Sequence, residues 1–394
     1  PFRSWPTVGP HRMREPDWPT ARRLAAAGQP LTAQQVPLAD ADGHVLAQAA
    51  LALTDLPAFD TSSMDGWAVC GEGPWTVVGE VLAGHAPDVE LSSGQCCVIA
   101  TGAAVPDGTS AIVRRENGEL TDGQLTAAHV PGADIRPAGE ECRRGEVLAQ
   151  SGELVGPALI GLLSAAGIDT VAVRPRPRVA IVLFGDELVD SGVAGIGQVR
   201  DSLGPQLPGW IKRMGAEVVS VSRAADTLAD HVDRIRQAAA TADVVMTTGG
   251  TAAGPVDHLH TAVAQLEGTF LIDSVAVRPG HPMALAQMAD AWLLGLPGNP
   301  QSAIVALLSL GAPLIDALRG RAESPLPTVT LTHDTKAPAH EHRLVASRLA
   351  GGEATPVAHL GSAMLRGLAV ADGFVVLPPG GAHSGDVVGW LGLP

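Results

Sequence analysis

Four stretches of this sequence set polar or charged groups among glycine and proline, where a loop can meet a ligand. The first is Thr247-Thr248-Gly249-Gly250-Thr251-Ala252-Ala253-Gly254-Pro255-Val256-Asp257, between an apolar run and a helical pattern. Backbone amides approach a phosphate closely only where side chains are missing, which Gly249, Gly250 and Gly254 allow. A long turn using glycine for positive φ explains the same residues. The second, Gly295-Leu296-Pro297-Gly298-Asn299-Pro300, has Asn299 fit for an N-cap and Pro300 fit for a first helical turn. A plain strand-to-helix turn accounts for it equally well. In the third, Arg278-Pro279-Gly280-His281-Pro282, two prolines stiffen a short loop that can present a guanidinium and an imidazole together as an anion clamp. The fourth, Gly185-Asp186-Glu187, supplies two carboxylates. With Asp226 and Asp257 they form a set of hard oxygen donors suited to Mg²⁺ beside a phosphate. Solvated acidic pairs of this kind are also common without a ligand.

These loops need elements to hold them, and the sequence supplies a regular series. Val179–Phe184 is a continuous apolar run between Pro177 and Gly185, as in a strand buried on both faces. Leu203, Leu207, Trp210, Ile211 and Met214 recur at helical spacing before Gly215. Glu217–Ser222 is a second strand, and Asp226 or Thr227 caps a helix with Leu228, Val232, Ile235 and Ala239 on one face. Asp243–Thr248 and Trp292–Leu296 are further strands, and Leu259, Val263 and Leu266 mark another helix. Pro300–Leu310 is an apolar helix that Gly311 and Pro313 should bend or end. Successive units of this kind fold as an open parallel or mixed sheet with helices on both faces, and ligands bind outside the carboxyl ends of its strands. All four loops follow such strands or lie near them.

The flanking regions read differently. Residues 49–138 show short strands without helical alternation, around Val77-Val78, Cys97–Ile99 and Ala111–Val113. Within them lie Phe59–Val69 and Ala100–Gly108, polar turns that carry Asp65 and Thr101; ordinary turn chemistry explains both. Residues 1–48, with Ala21–Ala27 and a helix-start pattern at Leu31-Thr32-Ala33-Gln34, read as helical and group with 139–174 as a discontinuous linker domain. The α/β block covers 175–322. A small β domain covers 323–394.

Bulk properties narrow the function. The 394 residues carry a net charge of −15, 46 Gly, 31 Pro and no Tyr. Such a chain needs more than one core, and its charge argues against nucleic acid or an anionic membrane surface as partner. A bound anion would need local donors. Cys70, Cys96, Cys97 and Cys142 show no C-x-x-C spacing, so neither a zinc site nor a disulfide framework is expected. The apolar stretches are broken by Gly and Pro before reaching the roughly 18 residues of a membrane span. The expectation is a cytoplasmic protein. A dehydrogenase is disfavoured because no G-x-G-x-x-G follows Phe184.

The motifs, in their order, resemble those of the molybdopterin molybdenumtransferase family, which contains bacterial MoeA proteins and the gephyrin E domain. Phe59–Val69 resembles F-D-N-S-A-M-D-G-Y-A-V, and Thr101–Gly108 resembles T-G-A-P-x-P-x-G. Ile135–Glu141 resembles I-R-x-x-G-E-D, Thr248–Asp257 resembles S-G-G-x-S-x-G-x-x-D, and Gly295–Pro300 is G-L-P-G-N-P unchanged. The resemblance implies an elongated homodimer with a three-layer α/β molybdopterin-binding domain and β-rich domains. It implies a site shared between the α/β domain of one subunit and the β-rich domain of the other. Adenylylated molybdopterin and molybdate would be substrates, Mg²⁺ the cofactor and AMP a product; other cofactor-synthesis proteins are possible partners. Asp65, Thr101, Glu187, Asp226 and Asp257 carry over as catalytic residues, with Glu187, Asp226 and Asp257 as metal ligands. Thr248, Gly249, Gly250, Thr251, Gly254, Arg278, His281, Pro297, Gly298, Asn299 and Pro300 carry over as substrate-binding residues. Arg278 and His281 stand where the family usually has Lys, Leu183-Phe184 where it has Ser-Thr, Leu203 where it has Asn, and Ala252 where it has Ser. These departures leave two readings open: a working transferase, or a paralogue that binds pterin or a partner without inserting metal.

Overall fold

In a computed structural model, which describes residues 13–251 and 258–394, the chain divides into two compact units. One comprises 35–42 and 48–173, the other 1–34, 43–47 and 174–394.

The first unit is built on a six-stranded sheet. Its strands are β1 (Gly66–Val69), β2 (Trp75–Val81), β3 (Gln95–Ile99), β4 (Ala111–Arg114), β5 (Glu119–Thr121) and β6 (Gln124–Thr126), in the order β5-β6-β2-β3-β1-β4. Side chains alternate along a strand, and here both faces are covered. Trp67, Val69, Cys96 and Val113 pack with Trp75 and Leu125 in one cluster, while Ala68, Cys97, Ile99 and Ile112 pack with Leu91 in another. Cys96 and Cys97 are therefore neighbours in sequence and face opposite ways. Burial pushes both thiols up to about 11, away from reactivity. All four cysteines are free.

The second unit holds the βα series. Strands β7 (Arg178–Phe184), β8 (Glu217–Ala224), β9 (Val244–Thr248), β10 (Thr269–Asp273), β11 (Val277–Arg278), β12 (Ala284–Gln287) and β13 (Trp292–Leu296) follow one another along the chain. All but β11, together with Met13–Arg14, make a seven-stranded sheet in the order Met13–Arg14, β10, β12, β13, β9, β7, β8. The run β8-β7-β9-β13 is parallel throughout, whereas β12 is antiparallel to both β10 and β13. Helix α1 (Leu203–Arg213) covers one face, with Leu203, Leu207 and Ile211 against Val179, Ile181 and Leu183. Helix α2 (Leu228–Ala239) covers the other, with Val232, Ile235 and Ala238 against Ala180, Val182 and Phe184, and α3 (Leu259–Gln265) joins it. Alternate residues of one strand thus feed two cores, which explains why Val179–Phe184 is apolar at every position.

Two expectations are corrected here. No helix begins at Leu31; the chain is extended through the strand Gln34–Pro37, and the Leu31 N–H donates to the Leu318 carbonyl at 2.8 Å. Pro30 and Pro37 bias their preceding residues away from helix, and Leu31 is held by burial instead. Nor do Gly311 and Pro313 end the apolar helix. It runs from Pro300 to Leu318 as α4 (Pro300–Ala306), a π-helical turn (Leu307–Gly311) and α5 (Ala312–Leu318). The wider turn accommodates the missing N–H of Pro313. Gly311 serves close packing: a Cβ there would meet Leu307 Cδ1 at 2.9 Å and Leu294 Cδ2 at 3.0 Å. Among the described residues this helix is long and apolar enough to cross a membrane, yet 89% of it is buried inside the protein.

The same unit carries β14 (Thr328–Leu331), β15 (His342–Ala350), β16 (Glu353–Pro356), β17 (Gly373–Leu377) and β18 (Val387–Gly392). They run β15-β16-β14-β18-β17, and β17 pairs back to β15. The sheet closes around Leu331, Val345, Val375, Leu377 and Trp390. Strand β11 pairs in parallel with β15, Val277 to His342 and Arg278 to Arg343, which ties the Arg278 loop to this sheet.

A Cβ at Gly66, in β1, would lie 1.9 Å from the Val113 carbonyl oxygen. Gly66→Ala should therefore cost about 3 kcal/mol, the upper end of overpacking penalties. Urea denaturation followed by Trp fluorescence measures it, and an unchanged midpoint contradicts the close approach.

Candidate functional site

The parallel run places four loops side by side. In register, Leu183 on β7 lies opposite both Arg223 on β8 and Thr248 on β9, and Thr248 lies opposite Leu296 on β13. The chain leaves all four strands at the same edge, within roughly 14 Å at the usual spacing of about 4.8 Å. Because α1, which follows β7, and α3, which follows β9, cover opposite faces, the connections after these two strands diverge, which opens a crevice at that point.

Gly185, Asp186 and Glu187 follow β7, and Asp226 follows β8. The Asp186 N–H donates to Asp226 Oδ2 at 3.2 Å, and the Asp226 N–H donates to Asp186 Oδ1 at 3.3 Å. This reciprocal pair ties the two strand ends together, so Asp186 has a role that its sequence motif did not single out. Glu187 is exposed, and its carboxylate folds back over Gly185, whose φ is +135°. A Cβ at Gly185 would sit 2.8 Å from Glu187 Oε2. Among the described residues neither Glu187 nor Asp226 is ion-paired to Arg or Lys, and they do not converge with a third carboxylate or imidazole within 4.8 Å. Asp257, the third expected ligand, and Gly254 lie outside the described residues.

After β9, Thr248 and Thr251 are buried while Gly249 and Gly250 are partly open, at φ +81° and +67°. The Gly249 N–H donates to the Leu296 carbonyl at 2.9 Å, and Gly298 approaches the Cα of Gly249. The two glycine-rich loops therefore lie against each other. Pro297 is buried; Gly298 and Asn299 are exposed above it. Asn299 occupies the N-cap position of α4 without a side-chain hydrogen bond, which leaves its amide free of a structural task.

His231, on α2, was not legible as a site residue. It is fully buried beneath these loops, stacked on Phe184 with ring centroids 3.7 Å apart and edge-on to His258 at 5.4 Å. Its Nδ1 lies 2.8 Å from the Thr227 carbonyl, so it carries the proton and Nε2 is the bare acceptor. Among the described residues Nε2 has no hydrogen-bond partner, and it faces Gly250. One ring thus touches the segments leading to Glu187, Asp226 and the glycine loop. Phe184, where the related motif has a hydroxyl, is the platform of this stack; Leu183 turns into the other core. On that other face a cleft of about 370 Å³ is lined by Leu183, Asp201, Gly204, Ser222 and Arg223. There Asp201 accepts from the Leu203 and Gly204 N–H groups at 2.9 Å and from Arg223 at 3.1 Å, so it fastens the start of α1.

The clamp loop differs from expectation in its surroundings. Arg278 donates from Nε to Glu341 Oε2 at 2.8 Å, and His281 Nε2 lies 2.9 Å from Glu15 Oε1. The guanidinium and the imidazole are present together, each with a carboxylate already against it.

In the other unit, Asp65 and Thr101 flank the end of the β1–β3 pair, where Gly66 lies opposite Ile99. Asp65 Oδ1 accepts from the Thr101 N–H at 2.7 Å and from its hydroxyl at 2.9 Å. These bonds, the backbone one first, hold the exposed Asp65 carboxyl below the usual range. The pair is a fixed anionic corner.

A doubly covered mixed sheet with glycine loops at the carboxyl edge of its parallel strands, in a chain that also carries β-rich regions, is an α/β architecture whose ligand site lies outside those strand ends. Comparison with known proteins narrows it. Residues 18–167 match the MoeA N-terminal region (domain I and II), 180–317 a probable molybdopterin binding domain, and 328–393 the MoeA C-terminal region (domain IV). The chain is 31% identical over 303 residues to molybdopterin molybdenumtransferase of Haemophilus influenzae, covering 75% of each. It is 33% identical over 303 residues to molybdopterin molybdenumtransferase 2 of Mycobacterium tuberculosis, covering 72% of this chain and 73% of that one. The crystal structure of the molybdopterin biosynthesis MoeA protein from Pyrococcus horikosii superimposes with a TM-score of 0.82 at 27% identity, covering 96% of this chain and 99% of that one. The chain belongs to the molybdopterin molybdenumtransferase (MoeA) family.

Burial lowers the His231 pKa from its ordinary 6.5, partly opposed by the Thr227 carbonyl, with His258 lowering it and Asp226 raising it further. Stability is then full above pH 6.5, falls as the unfolded chain protonates, and is fully reduced once pH drops through the lowered folded value. His231→Phe keeps the stack and should remove this acid slope in melts taken across that window. An identical slope in the variant places the titration elsewhere.

Proposed function

We propose that the strand-end crevice is where this transferase inserts molybdenum into molybdopterin during molybdenum cofactor synthesis. The observation that supports it most is the meeting of the Gly185, Asp226, Gly249 and Gly298 segments at adjacent ends of β7, β8, β9 and β13. Open backbone at Gly249 and Gly250 suits a phosphate or the flat face of a pterin, and Asn299 can bond a ring edge. Thr248 and Thr251 carry hydroxyls at the loop's two ends.

In finer detail, the reading takes adenylylated molybdopterin as substrate, with molybdate as the metal donor and AMP released. An oxygen nucleophile adds to phosphorus as the bond to the bridging oxygen breaks, and AMP departs with that oxygen. Glu187 and Asp226, with Asp257, would hold Mg²⁺; Glu187 is exposed, Asp226 is half-buried, neither is ion-paired to Arg or Lys among the described residues, and carboxylates have the hard-donor chemistry the ion requires. Bound there, Mg²⁺ would neutralise charge on the phosphates. The carboxylates themselves orient the attacking oxygen and accept its proton. Arg278 and His281 take the oxyanion, because a guanidinium and an imidazole are held together on one pinned loop of an acidic chain. The protein works as a cytoplasmic homodimer in this reading, and Asp65 and Thr101 act in catalysis.

Glu187→Ala and Asp226→Ala should each lower turnover by about 10²- to 10³-fold, as loss of one preorganised electrostatic group does. AMP release together with activation of an apo-molybdoenzyme measures this, with circular dichroism to check the fold; undiminished rates remove both residues from the mechanism. Mixing Asp65→Ala with Glu187→Ala protein should restore activity in hybrid dimers. Failure to recover, with mixed dimers demonstrated, argues that each subunit acts alone.

A further inference from the structure

The Arg278–His281 loop is fixed from both sides. Strand β11 is paired to β15, the Val275 N–H donates to the His281 carbonyl at 2.9 Å, and the Met283 N–H donates to the Gly280 carbonyl at 3.1 Å. Gly280, at φ +104°, is buried against Met283 and Val305, so the turn that presents His281 has little freedom. The Arg278 and His281 side chains are thus anchored through their backbone.

Their partners arrive from distant places. Glu341 immediately precedes β15, and Glu15 follows Met13–Arg14 at the far edge of the seven-stranded sheet. Donor atoms of Glu15, His281 and Glu341 all lie within 4.8 Å of one another. Two carboxylates bring the same formal charge as a tetrahedral dianion. Their oxygens occupy donor positions on the Arg278 guanidinium and the His281 imidazole that an oxyanion would use. Each is held lightly: Arg278 uses Nε alone, rather than the two-pronged contact that makes Arg–carboxylate pairs strong.

We propose that Glu15 and Glu341 are affinity-determining residues of the Arg278–His281 subsite, internal anions that an incoming oxyanion must displace. This rests on the reading of Arg278 and His281 as oxyanion ligands. Displacement is easier at Glu15, whose side chain is 55% exposed, than at Glu341, at 17%. The pair sets a threshold: weakly held monoanions fail to compete, whereas a dianion that engages the unused Arg278 donors and His281 together succeeds. Charge selection, rather than maximum affinity, is what the arrangement supplies in a chain whose substrate site must also admit phosphates.

Calorimetric titration of the full chain with sodium molybdate tests this, with sodium chloride held constant. Glu15→Gln should tighten binding about threefold, in line with a surface ion pair, and Glu341→Gln about tenfold, in line with a less exposed charge-assisted bond. The exposed Glu15→Gln protein is expected to fold as the parent does, and thermal melts of both variants verify it. If both variants bind molybdate as the parent does while Arg278→Ala/His281→Ala binding is lost, the displacement inference fails and the oxyanion reading stands. If Arg278→Ala/His281→Ala binds molybdate unchanged, or no protein in the set binds it, the oxyanion reading itself fails. Zinc chloride binding abolished by both Gln variants, with molybdate affinity unaltered, would instead make the cluster a cation site and overturn the proposal.

Discussion

The parallel pairing of β8, β7, β9 and β13 is the constraint from which the rest of the α/β unit follows. Parallel strands require crossovers, and the crossovers here put α1 on one face and α2 on the other. Every chain exit at the carboxyl edge is thereby a loop that cannot turn straight back. Segments more than a hundred residues apart, such as Gly185 and Gly298, end up beside the same glycine turn. One sheet edge thus gathers the Asp186–Asp226 pair, the open glycine turn and the Phe184–His231 ring stack.

Beneath that edge the structure uses a buried imidazole as a tie. A neutral His231 stacked on Phe184 costs the burial of a bare nitrogen, and it links α2 to β7 and to the glycine loop. The replacement of a polar motif residue by Phe184 reads differently in this light. Its side chain enters the core with Ala180 and Val182, because alternate residues of β7 face that way. The altered chemistry lies below the crevice, and the exposed Asp186 and Glu187 that follow remain available.

Charge is handled locally. A chain with 41 acidic and 26 basic Lys and Arg residues cannot attract an anion by its overall field. In the proposed reading, the open glycine turn at Gly249 and Gly250 and the Arg278–His281 loop answer that need within short range. The Asp65–Thr101 corner shows the opposite device, an acid kept ionised by donors from its own neighbouring strand.

Much of this was legible from residues alone. Val179–Phe184 read as a doubly buried strand, Asp226 or Thr227 read as a cap, which the structure places at Thr227, and the succession of strands and helices implied the sheet edge where the loops meet. The order of five motifs sufficed to name the family. Several strands escaped: β10, β12 and the nine-residue β15 carry no clean alternation, since their faces are set by antiparallel partners elsewhere in the chain. The apolar helix ran past Gly311 because close packing on Leu294, invisible to local rules, made glycine an asset there. His231 looked like one polar residue on a helix, and nothing local revealed the ring of Phe184 above it. Likewise the sequence by itself determined that Arg278 and His281 share a stiff loop. Only the tertiary structure decided that Glu341 and Glu15 stand against them, since charge partners are chosen by which distant segments the sheets bring within a few ångströms.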